Sequence, residues 1–362
     1  MHLGNVFCAL LSWLSAKSKG GEWVLRIEDL DPQRSREEYA LQLMDDLQWL
    51  GLPWDGEPVW QSQRGHIYEE YLLRLTEMGI TYPCHCTRAD IMATQAPHET
   101  DGRVVYKGTC RPRAIDAINS IDSIGSIDAI DAIDAIGSID STIRTVPATT
   151  RLIVPDCTIP FTDGHYGRHD INLAEHCGDY IVRRKDGAWA YQLAVVVDDA
   201  LMGITEIVRG RDLLLSSPQQ IHLRELLFGE RKTENGTDAG SENRSKIYFD
   251  YAEQQGGKDH EAGLKRKNNS LTAHHSPLTV NFFHHPLLCN AEGQRLCKRD
   301  KSMDLAYLRD KGTTARDIIG LLAHLAGLTN TPAPITPTEL LPLFSWDKVP
   351  TEDIMLDKQI ML

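Results

Sequence analysis

Three sets of side chains in this sequence have the types and spacing to do chemistry. The first is Cys84-x-Cys86 followed by Tyr106-x-x-x-Cys110, three thiols and a phenol within 27 residues. Thiolates select a soft tetrahedral ion such as Zn²⁺, and a closed set of four ligands makes a structural rather than a catalytic site. Read singly, the C-x-C pair is equally what two buried free thiols look like, and Tyr106 equally a core ring. The second set is His2-Leu3-Gly4-Asn5, at the start of a helical pattern. A glycine there lets a nucleotide come close to the backbone, and the free N–H groups of a helix start attract phosphate. The third is Arg295-Leu296-Cys297-Lys298-Arg299, cations after a Gly-containing turn (NAEGQ), at the spacing of a flexible phosphate clamp. A terminal histidine alone reads as solvated, and a basic pentapeptide alone as a solvated loop.

The elements that must position these residues read as alternating helix and strand. Residues 5–18 have helical periodicity, and Glu22 to Asp29 (EWVLRIED) form a buried strand that ends in acidic residues. Ser35-Arg36-Glu37-Glu38 has the spacing of a capping box ahead of an amphipathic helix through Leu50. A further helix runs from Gln63 to Met78. Tyr180 to Arg183 and Gln192 to Asp198 (QLAVVVD) read as strands, the second apolar on both faces as parallel strands are. Helical patterns return at Pro218–Phe228 and from Thr314 onward. Strands alternating with helices predict an α/β fold with a doubly wound, mainly parallel sheet.

Two segments interrupt the pattern. From Ile115 to Ile139 an isoleucine recurs at every third residue. That step walks around a helix and alternates faces on a strand, so neither element can bury it, and long 3₁₀ runs are uncommon. The reading is an expanded loop. The polar stretch from Arg231 to Pro277 reads as a surface insertion.

The net charge of −13 gives no general electrostatic footprint for nucleic acid, yet a local patch is enough for a tRNA partner. Residues 114–143 contribute six Asp and no Lys or Arg, almost half of that excess. Eight cysteines, five of them scattered, do not make a disulfide scaffold, so a reducing cytoplasm is expected. No apolar run reaches the roughly 20 residues of a membrane helix. The apolar stretch at residues 6–14 lacks a basic flank and a small-residue cleavage site, so no signal peptide is expected.

Taken together, HLGN and RLCKR resemble the HIGH and KMSKS signatures of class I aminoacyl-tRNA synthetases. LRIEDLDPQR (25–34), Gln61-Ser62-Gln63-Arg64, WAYQLAVVVDD (189–199), EIVRGRDLL (206–214) and HHPLLCNAEGQRLCKRD (284–300) sharpen the resemblance to the glutamyl branch. It covers most of the chain outside the two interruptions. The Cys, Cys, Tyr, Cys order is similar to the zinc site of glutamyl-queuosine tRNA(Asp) synthetases, which lack the long helical anticodon-binding half. Only about 60 residues follow RLCKR here.

This resemblance implies a class I Rossmann-like core, an inserted zinc-containing subdomain and a short helical C-terminal tail. The expected boundaries are 1–82 for the first half of the core, 83–113 for the zinc insertion, and 114–143 for the isoleucine loop. The second half then spans 144–230, the polar insertion 231–277, the clamp-loop region 278–312 and the tail 313–362. It further implies ATP-dependent activation of glutamate without tRNA, then transfer to queuosine at the wobble position of tRNA(Asp), by a monomer. Residue by residue, His2, Leu3, Gly4, Asn5 and Lys298 would serve ATP, with Mg²⁺ beside it. Glu28 would hold the glutamate ammonium, with Tyr191 and Arg209 completing that pocket, and Cys84, Cys86, Tyr106 and Cys110 would hold one structural Zn²⁺.

Arg295, Cys297 and Asn5 depart from the family pattern: Arg295 keeps the charge of the first clamp Lys but changes its geometry, while Cys297 and Asn5 are tolerable substitutions. The larger departure is upstream, where the family carries a strand and an amino-acid-binding Arg before HLGN. The expectation is a start assigned at an internal Met rather than a truncated enzyme. Two rivals remain: a glutamyl-tRNA synthetase catalytic fragment, marked by glutamate at the tRNA 3′ end, and a non-catalytic zinc-containing tRNA-binding protein, marked by tRNA binding without ATP binding.

Overall fold

A computed structural model describes residues 1–31, 35–93, 105–112, 147–229, 280–296 and 303–356. The isoleucine triplets and the polar insertion fall outside the described residues.

Helix α1 (Leu3–Ser18) buries Leu3, Val6, Phe7, Leu10, Leu11 and Leu14, the three- and four-residue spacing of one helical face. Strand β1 (Val24–Ile27), helix α2 (Glu37–Trp49) and strand β2 (Asp55–Trp60) follow, and β1 pairs in parallel with β2. The cap of α2 is Arg36 rather than Ser35, with no side-chain cap bond. The Ser35 N–H is already bonded to the Asp31 carbonyl, which places Ser35 in the preceding turn and leaves the predicted capping box unformed.

Helix α3 (Gly65–Glu77) is entered through a 3₁₀ turn at Gln61–Arg64 and leads to β3 (Thr81–Cys84) and α4 (Arg88–Ala93). Next come β4 (Thr149–Leu152), β5 (Thr158–Asp163), β6 (Gly167–Asn172), the short α5 (Leu173–His176) and β7 (Tyr180–Arg183). Strands β3, β4 and β7 form an antiparallel sheet.

The predicted strand at Gln192–Asp198 is instead the middle of helix α6 (Tyr191–Leu201). A short apolar run carries no period that separates a buried strand from a helix buried on every side. Here Leu193 to Ala200 are all buried, and Leu193 to Val197 share a cluster with Tyr68, Leu72 and Leu75 of α3.

Strand β8 (Glu206–Gly210) and helix α7 (Ser217–Phe228) lead to β9 (Asn281–His285), which runs parallel to β8 in the register Arg209↔His284. The sheet order is β6-β5-β9-β8, with β5 parallel to β9 and antiparallel to β6. Strand β10 (Leu288–Cys289), helices α8 (Leu305–Asp310), α9 (Ala315–Leu325) and α10 (Pro337–Leu340) and strand β11 (Ile354–Met355) complete the described chain. Thr314 caps α9 in a full capping box with Asp317.

The result is a mixed α/β fold with parallel strand pairs. One core joins α1 to the C-terminal helices and a second joins α3 to α6 and α7. Among the described residues no helix is long and apolar enough to cross a membrane.

Candidate active site and metal centre

The two motifs nearly 300 residues apart in sequence meet in space. His2 is the N-cap of α1, and its N–H donates to the Asn5 side chain at 3.3 Å. A Cβ on Gly4 would lie 3.1 Å from the His2 ring and 3.9 Å from Leu296 Cβ, so glycine makes room for the imidazole beneath the loop start. His2 also bridges to Asp304, and the Leu305 N–H donates to the Met1 carbonyl at 2.7 Å. Leu296 is buried and donates its N–H to the Leu288 carbonyl at 3.0 Å. Arg295 is ion-paired with Asp212. Cys297, Lys298 and Arg299 lie outside the described residues.

Beside this edge, β8 carries Arg209 inward. Its Nε donates to His284 Nε2 (3.1 Å), Nη1 to Gln220 Oε1 (2.7 Å) and Nη2 to Ser217 Oγ (2.9 Å). Ser217 and Gln220 lie one turn apart on α7, and His284 is the register partner of Arg209 on β9. A longer contact of 3.5 Å joins Nη1 to the Tyr191 hydroxyl. His284 in turn holds Asp163 through Nδ1 at 2.6 Å.

Glu28 follows β1, and its neighbour Arg26 reaches it at 3.1 Å and Asp199 at 2.6 Å. Next along α6, Asp198 is fully buried and accepts from Gln61 (2.8 Å), Arg64 (2.6 Å) and Tyr68 (2.7 Å). Burial lifts the Glu28 carboxyl above its usual range; Arg26 opposes that shift while Asp199 and Asp198 add to it. Burial likewise raises the Tyr191 hydroxyl, with Arg209 opposing and Glu28 adding. Yet the Glu28 side chain is 42% exposed and Tyr191 is 40% exposed.

The thiol set is held at the end of β3, where strand alternation turns Tyr82 and Cys84 to the same inner side. The Sγ atoms of Cys84, Cys86 and Cys110 all lie within 4.8 Å of one another. Cys86 and Cys110 are 3.4 Å apart, and the Tyr106 hydroxyl stands 3.4 Å from Cys84 Sγ and 3.8 Å from Cys86 Sγ. A tetrahedral zinc with Zn–S bonds of about 2.3 Å requires S···S edges of about 3.8 Å, so these spacings fit such an ion. The Tyr106 backbone bridges to Gly178, whose φ is +62°. A Cβ there would fall 2.4 Å from the Tyr106 carbonyl, so only glycine permits the approach. Arg151 stacks on the Tyr106 ring at 3.8 Å.

The model of the class I (E and Q) tRNA synthetase catalytic domain matches residues 1–235. A glutamyl-Q tRNA(Asp) synthetase from Nitratidesulfovibrio vulgaris is 34% identical over 100% of this chain and 93% of its own length. The chain belongs to the glutamyl-Q tRNA(Asp) synthetase family. Its relative of that name in Symbiobacterium thermophilum is 35% identical over 98% of the chain and 92% of that protein. A solved glutamate tRNA ligase from Elizabethkingia meningosepticum superposes with a TM-score of 0.65 at 22% identity, a likeness of fold. It covers 100% of this chain, which spans 65% of the length of that ligase.

Membership makes the chain a ligase of the aminoacyl-tRNA synthetase class. Among its expected site residues, the structure brings Tyr191 and Arg209 into contact, sets Glu28 within electrostatic reach of Tyr191, and joins His2 and Gly4 to Leu296. It gathers Cys84, Cys86, Tyr106 and Cys110 into one cluster. Arg26, Asp198, Asp199, Gln220, His284 and Asp163 were not singled out by sequence. The acidic pair in the otherwise apolar QLAVVVDD was the one available signal, since buried carboxylates need partners.

Proposed function

We propose that the chain condenses L-glutamate with ATP to glutamyl-adenylate and then transfers the glutamyl group to the queuosine base at the wobble position of tRNA(Asp). The observation that carries this reading is the convergence of Arg209 with the Tyr191 hydroxyl, with Glu28 acting on that hydroxyl, on a strand whose Val208 carbonyl meets Cys8 of α1, the helix at whose start His2, Gly4 and Leu296 come together. A carboxylate oxygen of glutamate attacks the α-phosphorus of ATP, the bond to the bridging oxygen breaks, and pyrophosphate leaves. Such a reaction needs positioning and charge stabilisation rather than covalent help.

In this reading Glu28 takes the substrate ammonium, whose charge favours the ionised carboxylate. Arg209 and Tyr191 hold a substrate carboxylate, and a buried guanidinium suits that task. His2, Leu3, Gly4 and Asn5 form the ATP side, with Lys298 neutralising the departing phosphates and Mg²⁺ accompanying the nucleotide. Cys84, Cys86, Tyr106 and Cys110 hold one Zn²⁺, which supplies structural closure of the segment around them. The thiol-rich site and a tRNA substrate fit a cytoplasmic setting.

Glutamate-dependent ATP–pyrophosphate exchange, measured with and without tRNA, tests the first step. Exchange in the absence of tRNA is expected, and its absence under every condition would sink the reading. Digestion of labelled tRNA(Asp) tests the second, with the label expected on the modified nucleoside. Label on the 3′-terminal adenosine would replace this reading with a glutamyl-tRNA synthetase activity.

A further inference from the structure

We propose that Asp163 and His284 are positioning residues, a buried pair that fixes the orientation of the Arg209 guanidinium and so sets affinity for the amino-acid substrate. The proposal rests on the reading of Arg209 as a carboxylate-binding group and adds to it the device that aims the side chain.

The proton arrangement follows from what each atom is able to do. Arg209 Nε–H is always a donor, so His284 Nε2, 3.1 Å away, must accept. The imidazole proton therefore sits on Nδ1 and is donated to Asp163 Oδ2 at 2.6 Å. Asp163 is itself locked: its Oδ1 accepts from the backbone N–H groups of His165 (3.0 Å) and Tyr166 (2.8 Å). The His284 N–H adds a contact of 3.2 Å to Oδ2. His284 is 0% exposed, and its pair with Asp163 has no water-facing alternative.

Burial pushes the imidazole below its ordinary value and Arg209 pushes the same way, while Asp163 opposes; the ring is neutral at pH 7. On the far side of the guanidinium, Gln220 accepts from Nη1 and passes the order to Gln192, donating to its side-chain oxygen at 3.0 Å. With Nε, one Nη1 hydrogen and one Nη2 hydrogen committed, the guanidinium plane has one orientation. The second Nη1 hydrogen faces the Tyr191 hydroxyl at 3.5 Å.

The pair makes a distinctive prediction for Asp163→Asn. The two backbone N–H groups of His165 and Tyr166 keep an oxygen on the Oδ1 side, so the new amide turns its NH₂ to His284 Nδ1. The ring must then carry its proton on Nε2, facing the Arg209 Nε–H donor to donor, although no shape has changed.

The test measures exchange kinetics for glutamate and for ATP separately, beside thermal melting. For Asp163→Asn the expected result is a rise of about tenfold in KM for glutamate, with kcat and KM for ATP nearly unchanged. His284→Gln, whose amide oxygen is able to accept from Arg209, should raise the glutamate KM less than His284→Leu does. If wild type shows glutamate-dependent exchange and Asp163→Asn leaves the glutamate KM unchanged, the positioning role is overturned and the reading of the pocket stands. Equal rises in both KM values would also overturn it, because they report general loosening. A wild type without glutamate-dependent exchange overturns both.

Discussion

The Arg209 corner and the thiol cluster are both buried polar assemblies, but they are complete to different degrees. Around Arg209, the buried side chains of Asp163, His284, Ser217 and Gln220 meet at 2.6–3.1 Å, each donor facing a strong acceptor. Around Tyr106, the thiols meet one another and the phenol at 3.4–3.8 Å, in contacts where sulfur is a weak donor and a weak acceptor. The corner satisfies itself from within the chain. The cluster is shaped by its supports, the Arg151 stack on Tyr106 and the 2.6 Å bond from Tyr82 to Asp179, around three thiols spaced so that they could hold a metal ion. One region is therefore preorganised by protein alone, whereas in the proposed reading the other gains the same rigidity from its ion.

The sharpest way to break this contrast is to take the ion away. The purified chain is expected to carry about one Zn²⁺, and phenanthroline or Cys110→Ser should remove it. Because structural zinc contributes directly to folding free energy, calorimetric Tm should fall by on the order of 10 °C. An unchanged Tm together with no metal by elemental analysis would show that the thiols are simply buried cysteines, and the two regions would then be alike.

The second largest effect is expected at the other pole. Arg209→Lys keeps the charge but replaces a planar fork with one ammonium, which cannot serve His284, Gln220 and Ser217 together and still face a ligand. We expect kcat/KM for glutamate to fall about a hundredfold in the exchange assay, while zinc content is unchanged. Retained activity would mean that the corner is structural only.

How much of this was legible in sequence divides along the same line. The thiols announce themselves because their chemistry lies in residue type and close spacing, Cys84 to Cys110. The strand at Tyr180–Arg183 and helix α1 were equally readable, having clear periods and short range. Tyr191, Arg209 and Glu28 drew notice only through their motifs. Asp163 drew none and His284 stood in its motif without a role, since their pairing spans 121 residues and depends on the register of β5, β9 and β8. Helix α6 was misread because QLAVVVD is apolar all round, and burial on every side erases the period that distinguishes helix from strand.

His285 sharpens the comparison by a pH test. It neighbours His284 but points to α1, packing edge-on against Phe7 at 5.4 Å and bonding the Pro286 carbonyl at 2.8 Å. Burial lowers its pKa to about 4, partly offset by the Pro286 carbonyl and Asp212. The unfolded chain takes up this proton near pH 6.5 and the folded chain only near pH 4. The stability is thus present above pH 6.5 and is lost as pH falls through that window. The loss is about 3 kcal/mol, taking roughly 1.4 kcal/mol per pKa unit. Urea titrations of wild type and His285→Leu between pH 7 and 4 should show the slope in this window shrinking in the variant; parallel curves would count against it.

The smallest effect is expected where the C-terminal segment touches the base of the RLCKR loop. Asp353 takes both Nε and Nη2 of Arg211 at 2.5 Å and also accepts the Leu287 N–H at 2.9 Å. It thereby ties the turn after β8, which carries Arg209, to the turn after β9, which carries His284. These hydrogen bonds hold the Asp353 carboxyl below its usual range, led by Arg211, with burial opposing. Arg211 is about half exposed, so solvent screens the ion pair and the cost of Asp353→Asn should be only about 1 kcal/mol. If the Arg209 corner is as self-sufficient as its hydrogen bonds indicate, this variant should lose that small stability without raising the glutamate KM. A glutamate KM that rises with the same substitution would show that the corner borrows its rigidity from the C-terminal segment, and the contrast with the thiol cluster would weaken accordingly.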